Sequence, residues 1–172
     1  MTQDNPAAPP AMDEEVIAFA GQMFQCARAG QAEVLERMLG QGLPPNLRND
    51  KGDTLLMLAA YHGHAEAVRV LLEHGADPDI LNDRGQTPLA GAAFKGTEAV
   101  VGLLLRHGAA VDGSGPDGRT ALMTAAMFNR VSIVEQLLAA GADREARDAM
   151  GNTAAQAAMA MGAAEAAALL RG

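Results

Sequence analysis

The chain has 172 residues and a formal net charge of −8; apolar residues make up 49% of the sequence and aromatic residues only 3%. This length fits one ordinary domain and excludes two large ones. Lysine occurs only at Lys51 and Lys95, so the sequence lacks the basic surface that nucleic acid or an anionic membrane requires, and we expect it to bind neither.

Residues 1–12 are polar and rich in proline, without the basic residues and apolar block of a secretion signal. We expect a disordered N-terminal lead-in over these residues. No stretch of the sequence reaches the roughly 18 apolar residues that a membrane span needs. The single cysteine, Cys26, excludes an internal disulfide, which fits a reducing compartment, and we expect a cytoplasmic protein.

Residues 13–172 contain an internal repeat with a period of 33 residues. A glycine, a threonine and an alanine recur in fixed register, at Gly52, Gly85, Gly118 and Gly151, at Thr54, Thr87, Thr120 and Thr153, and at Ala59, Ala92, Ala125 and Ala158. We predict five units: an N-terminal capping unit at 13–48, three units at 49–81, 82–114 and 115–147, and a C-terminal capping unit at 148–172.

Each unit predicts two helices and an extended turn. The recurring threonine is a helix N-cap, and the second helix carries an apolar stripe at i, i+3, i+4 spacing, as in Val68, Leu71 and Leu72. The connections between units are rich in Asp, Asn, Gly and Pro, which indicates a turn or hairpin. The first helix is predicted to end at Gly63, Gly96, Asn129 or Gly162, residue types that tolerate the left-handed conformation.

The combined pattern resembles the ankyrin repeat. Its consensus, Asp/Asn-x-x-Gly-x-Thr-Pro-Leu-x-x-Ala-Ala-x-x-Gly-His followed by Val-x-x-Leu-Leu-x-x-Gly-Ala-Asp, is met almost completely by residues 49–77 and well by 82–109 and 118–143. The resemblance implies an all-α solenoid of helix-turn-helix units joined by β-hairpin-like loops. In every unit another residue replaces the histidine of the family's Thr-Pro-Leu-His, namely Met57, Ala90, Met123 and Gln156.

The residues with reactive side chains indicate no catalytic, cofactor or metal site, and we expect no enzyme. His64 stands where the ankyrin pattern has histidine, and no further ligands accompany His62 and His64 at the spacing of a tetrahedral metal site. His74 and His107 precede the glycines that end second helices, where a cationic ring stabilises the helix C-terminus. Cys26 is predicted to be a small core residue.

Two further features are interpreted as scaffold. The glycine-rich run at 113–118 lacks the Lys-Ser/Thr of a phosphate-binding loop and is predicted to be a looser hairpin. Carboxylates recur along the hairpins of every unit, which is typical of solvated turn residues rather than of one acid/base pair. These carboxylates are Asp79, Asp83, Asp112, Asp117, Asp143 and Glu145.

Three of the five aromatic residues, Tyr61, Phe94 and Phe128, fall just before the residue that ends a first helix. The resemblance implies that these positions lie on the concave face with which ankyrin stacks hold protein partners. Met127 continues the series and Met161 flanks it. Because aromatic residues supply most contact energy and methionine adapts to shape, we predict a protein-binding stripe. The alternative is that these side chains pack against the preceding second helix and shield the core edge.

Polar residues around the stripe are predicted to form a rim that orients the partner. They are Asp53, His62, Arg84, Gln86, Lys95 and Arg119, together with Asp83. The acidic excess of the whole sequence favours a partner with a neutral or basic face.

The sequence therefore predicts a non-enzymatic protein–protein interaction module, such as an adaptor, an inhibitor or an immunity-type binder, that is monomeric when free. Two alternatives stay open. One is a self-associating structural module that dimerises through the apolar stripe. The other is an assembly or escort factor for a cofactor-containing enzyme.

Overall fold

The computed structural model describes residues 13–172, and the predicted N-terminal lead-in lies outside the described residues. The described part contains no β-strand, only an isolated antiparallel bridge between Arg48 and Thr54. The predicted all-α class is therefore confirmed. The ten helices of this part are α1 (Glu14–Ala29), α2 (Ala32–Gly40), α3 (Leu55–Tyr61), α4 (Ala65–Glu73), α5 (Pro88–Lys95), α6 (Glu98–Arg106), α7 (Ala121–Met127), α8 (Val131–Ala139), α9 (Ala154–Ala160) and α10 (Ala164–Arg171).

The predicted threonine caps begin helices α3, α5, α7 and α9. Each threonine hydroxyl accepts a hydrogen bond from the backbone N–H three residues later, which satisfies a donor that the helix itself cannot pair. Before α9, the Gln156 side chain also accepts from the Thr153 N–H at 2.9 Å, completing a capping box. In α1, which is longer at 16 residues, the Asp13 carboxylate takes this role.

The first helices end in the left-handed conformation, as predicted. Gly63, Gly96 and Gly162 have φ between 72° and 86°, and Asn129 has φ of 53°. Asn129 is the one non-glycine residue with positive φ in residues 13–172. Asparagine tolerates this conformation better than other side chains, so the register of the repeat is preserved there.

The helices form two layers. We call α1, α3, α5, α7 and α9 the inner helices, and α2, α4, α6, α8 and α10 the outer helices. Neighbouring inner helices contact one another more extensively than neighbouring outer helices do. Buried alanines allow this close approach, at Ala59, Ala60, Ala92, Ala93, Ala125 and Ala126. Between the layers lies a core with Leu71, Leu104 and Leu137, each at 0% exposure.

Turns at 49–53, 82–86, 115–119 and 148–152, which we call the hairpins, precede the inner helices α3, α5, α7 and α9. Asn49, Asn82 and Asp148 each accept two backbone N–H groups of their own hairpin through Oδ1. Asp79 and Asp112, which lie before the hairpins, accept N–H groups of the next repeat at 2.9 and 3.0 Å. Asp79 and Asp112 therefore hold neighbouring repeats together, as their recurrence in the sequence predicted.

Cys26 corrects one sequence-based expectation. Its side chain is half-buried and packs against the core instead of lying inside it. The described residues place no helix pair on the far side of α1, so this position stays partly open there. None of the helices in residues 13–172 combines the length and the apolar character that a membrane crossing requires.

Candidate functional site

A groove, which we call the inner groove, runs between the hairpins and the C-terminal ends of the inner helices. It has two sections, of about 530 Å³ against α1 and α3 and about 440 Å³ against α5 and α7. Both sections are lined by Tyr61, Arg84 and Gln86, so the groove is continuous from one repeat to the next. Elongated concave surfaces of this kind are where stacked repeats bind.

Three aromatic rings, which we call the aromatic row, follow the groove across three repeats. The rings of Tyr61 and Phe94 are stacked, with centroids 5.7 Å apart and an interplanar angle of 12°. The rings of Phe94 and Phe128 meet edge to face, with centroids 4.9 Å apart and an angle of 89°. The three residues nevertheless keep 37%, 39% and 41% of their surface exposed. The row is thus supported by its own members and open to solvent at the same time.

Phe128 is offset by one residue from the other two members of the aromatic row. Phe128 lies one residue after the position that continues Tyr61 and Phe94 in the 33-residue register, and Met127 occupies that position. Met127 is half-buried and lines the second section beside Phe128. Phe128 is the C-cap residue of α7, and from this offset position its ring meets Phe94 at nearly a right angle.

The floor of the second section is made of small side chains. Gly91 lies there, and a Cβ at this position would stand 3.4 Å from Met57 Sδ and 3.7 Å from Tyr61 Cδ2. Leu58 occupies the equivalent place one repeat earlier, in the first section. Thr124 follows one repeat later, and its hydroxyl donates to the Thr120 carbonyl oxygen at 3.2 Å. Glycine and a satisfied threonine leave room beside the aromatic row.

Six of the seven predicted rim residues line the groove, among them Asp53 and Asp83 in the first section. Of the other four, Arg84 and Gln86 border both sections, His62 the first and Arg119 the second. The His62 ring stands edge-on to Tyr61, with centroids 5.4 Å apart. Burial, followed by the charges of His64, Lys95 and Arg28, lowers the pKa of His62, so this ring is neutral at pH 7. Whether these four side chains contact a partner remains a prediction.

Three other predicted site residues are placed differently. Asp53 is only 7% exposed, and its Oδ1 accepts a hydrogen bond from Asn82 Nδ2 at 2.8 Å, so it belongs to the groove wall as a scaffold group. Lys95 is exposed at the end of α5 but does not line either section. Met161 is 54% exposed at the end of α9, also outside both sections. The groove therefore brings together most, but not all, of the predicted set.

Sequence reasoning missed several groove residues, among them Arg28, Asp50, Lys51 and Asp117. The 33-residue period could have identified two of these residues. Arg28 holds the register position of Tyr61 and Phe94, and Lys51 holds that of Arg84. Reading charges by register position, instead of one residue at a time, would have placed these side chains on the same face.

The side chains of two histidines outside the groove donate hydrogen bonds to backbone carbonyl oxygens. His64 Nε2 donates to the Arg28 carbonyl oxygen at 2.8 Å, which joins two repeats. His74 Nδ1 donates to the Val70 carbonyl oxygen at 2.8 Å, as expected for a side chain at a helix C-terminus. In residues 13–172 no group of three or more His, Cys, Asp or Glu side chains is arranged to hold a metal ion.

Comparison with known proteins agrees with the repeat and the helix pairs. The family model for ankyrin repeats in three copies matches residues 23–114 and 110–172. A Pseudomonas aeruginosa protein whose name describes it as an ankyrin repeat protein is 58% identical over 53 residues. This similarity covers 31% of the chain and 31% of the relative, so the chain spans about a third of the length of that protein. Ankyrin repeats generally mediate protein–protein interaction, and this chain belongs to the ankyrin-repeat family.

Proposed function

We propose that the protein is a non-enzymatic binding module that holds a protein partner in the inner groove, in the role of an adaptor, an inhibitor or an immunity-type binder. The observation that carries this proposal is the aromatic row, in which Tyr61, Phe94 and Phe128 line one groove and each keeps more than a third of its surface exposed. Large side chains at such positions are the usual source of contact energy in protein interfaces.

The scaffold supports this role energetically. Because the rings already pack against one another, little side-chain entropy is lost when a partner covers them. The hydrogen bonds within the hairpins fix the opposite wall of the groove. A preorganised surface of this kind converts most of its contact energy into affinity.

The aromatic row also contributes to stability, since stacked and edge-to-face pairs are themselves favourable. The binding interpretation predicts a loss of capture on substitution, and the alternative, in which these side chains pack against the preceding second helix and shield the core edge, predicts a loss of stability. The two interpretations are separated by measuring binding and stability on the same variants.

The test is affinity capture from cells of the native source, with the captured proteins quantified by mass spectrometry. We expect proteins captured by the wild type to be lost with Phe94→Ala and with Tyr61→Ala. Ile17→Ala is the matched control, because Ile17 is 52% exposed on α1 and lines neither section of the groove. Capture that persists in both groove variants, or that Ile17→Ala abolishes equally, contradicts the proposal.

Self-association is tested separately by light scattering at micromolar concentration. We expect the mass of one chain, 17.7 kDa. Twice that mass in the wild type, returning to one chain in Phe94→Ala, would establish a dimer through the aromatic row instead.

A further inference from the structure

We propose that the inner groove binds an extended, acidic polypeptide segment, with its carboxylates against Arg28, Lys51, Arg84 and Arg119 and its apolar side chains against the aromatic row. This inference rests on the function proposed above and adds the chemistry of the partner. It differs from the expectation based on total charge, which averages over the whole surface.

The charges of the protein are unevenly distributed. The sequence has 21 Asp and Glu residues and 13 Lys and Arg residues. The groove is lined by four cationic residues, the four named above, and by four carboxylates, Asp50, Asp53, Asp83 and Asp117. The lining is therefore neutral in sum, and the whole net charge of −8 lies on the remainder of the molecule.

Three of the four carboxylates in the lining already have partners. Asp53 accepts a hydrogen bond from Asn82, as described above. Asp83 lies 3.7 Å from the Arg48 guanidinium, and Asp117 Oδ1 accepts the Arg119 backbone N–H at 3.0 Å. The Arg48 guanidinium offsets the charge of Asp83, whereas the N–H donors to Asp53 and Asp117 occupy one oxygen of each carboxylate without changing its charge.

Among the described residues the four cations form no close ion pair, although the charge of Arg119 acts on the Asp148 carboxylate in the following hairpin. In residues 13–172 the ion pairs join Arg48 to Asp83 and Arg69 to Glu66 and Glu73, and none of them involves the four cations of the groove. After burial and the charge of His64, the charges of Lys95 and Arg28 lower the pKa of the His62 ring, so the Arg28 charge acts on a residue of the groove. An anionic partner would meet these charges without first breaking ion pairs.

The spacing of the cations suits an extended chain. Lys51 and Arg84 hold the same hairpin position in consecutive repeats, and Arg119 lies in the next hairpin. Packed helices stand about 8–10 Å apart, and an extended chain advances about 3.3 Å per residue. About three residues of a bound segment would therefore correspond to each repeat. Both sections of the groove are lined by Arg84, which lets a single segment contact all three hairpins.

The experiment selects random 12-residue peptides displayed on phage against the full immobilised protein. We expect Asp and Glu to be enriched and Lys and Arg to be depleted in the selected peptides, together with enrichment of aromatic or leucine residues. The affinity of the selected peptides is then measured by fluorescence anisotropy, and we expect it to fall as the salt concentration rises.

Charge-reversal variants test whether the selected peptides contact the inner groove. Arg84→Glu is expected to weaken binding of the selected peptides about tenfold or more, as for the loss of a close charge pair. Arg106→Glu is the matched control, since Arg106 is exposed on the outer helix α6 and the net charge changes by the same amount. We expect Arg106→Glu to leave the affinity within about twofold.

The outcomes separate this inference from the proposed function. Basic peptides whose binding is lost in Phe94→Ala would overturn the acidic partner and support the groove as the binding site. Peptides that bind equally well to wild type and Phe94→Ala would contradict both. If no peptide is enriched over a surface without protein, the inference of an extended segment is wrong, while capture of a folded partner still tests the proposed function.

Discussion

The inner and outer layers of the stack differ in the side chains that they use for packing and in their exposure to a partner. Inner helices meet through buried alanines and contact their neighbours extensively, whereas outer helices supply the leucine and valine stripe that fills the space between the layers. The same inner helices carry the exposed aromatic row at their C-terminal ends. The inner helices thus combine close packing through small residues with three aromatic side chains that stay partly exposed at the groove.

This comparison divides the chain into positions that hold the repeats together and positions that are open to a partner. Leu104 on α6 represents the first group, with 0% exposure, and Phe94 on α5 the second, with 39%. Substitutions at the two kinds of position should therefore differ in their effects on the free energy of unfolding and on partner binding.

Leu104→Ala should have the largest effect. Removing a fully buried side chain leaves a cavity between the layers, and we expect a loss of about 2–5 kcal/mol in the free energy of unfolding. Because repeats depend on their neighbours, the two ends are also expected to melt separately. Urea denaturation followed by circular dichroism measures this. A single transition displaced by less than about 1 kcal/mol would show that Leu104 is not a core residue.

Phe94→Ala should lower the free energy of unfolding less than Leu104→Ala does, but it should weaken partner binding more. The ring is partly exposed and its two aromatic contacts are worth about 0.5–1.5 kcal/mol each, so we expect a loss of about 1–3 kcal/mol. The same variant should lose the captured partner. Phe94→Leu, which keeps most of the apolar volume, is the control for stability. Unfolding of Phe94→Ala at room temperature would assign the aromatic row to the core.

Gly91→Ala should raise the free energy of unfolding, in contrast to the two substitutions above. Glycine in a helix costs about 0.5–1 kcal/mol relative to alanine, and the new methyl group would meet only ordinary contacts, the nearest being Met57 Sδ at 3.4 Å. We therefore expect a rise in the free energy of unfolding and weaker binding, because the methyl group fills the groove floor. Gly21→Ala on α1, with no neighbour within 4 Å, should raise stability without affecting binding. Equal binding by both variants would remove Gly91 from the site.

Arg69→Ala on the outer helix α4 should have the smallest effect at neutral pH. Arg69 pairs with Glu66 and Glu73 on the exposed helix surface, where ion pairs contribute little. Its hydrogen bond lowers the pKa of Glu66, so the pair stabilises the fold above the unfolded-state pKa of Glu66. This contribution is lost as the pH falls through the folded-state pKa. The melting temperature of Arg69→Ala should therefore lie slightly below that of the wild type at pH 7, and the two values should converge as the pH falls towards 3.

The sequence was sufficient for the repeat, the helix starts and the helix ends, because local signals decide them. Thr54 caps its helix through a hydroxyl three residues from its donor, and Asn129 takes the place of glycine through its tolerance of positive φ. The aromatic row was also predictable in outline, since residues one period apart in a stacked repeat become neighbours.

The groove could not be predicted fully from the sequence, because its shape depends on contacts between side chains of different repeats. Asp53 was predicted as a rim residue, yet Asn82 from the next repeat draws its carboxylate into a buried hydrogen bond. The edge-on packing of Phe128 against Phe94 joins residues of two repeats, and the 33-residue register does not specify this ring geometry. Three of the four cationic side chains of the groove come from different hairpins, and only the folded stack brings them to one surface.

The most direct test of the account is hydrogen exchange of the protein alone and with its captured partner or a selected peptide bound. We predict slower exchange of backbone N–H groups in the hairpins at 82–86 and 115–119 and at the C-terminal end of α5, with little change in the outer helices. Protection confined to α4, α6 and α8, with the hairpins unchanged, would contradict the assignment of the inner groove as the binding surface.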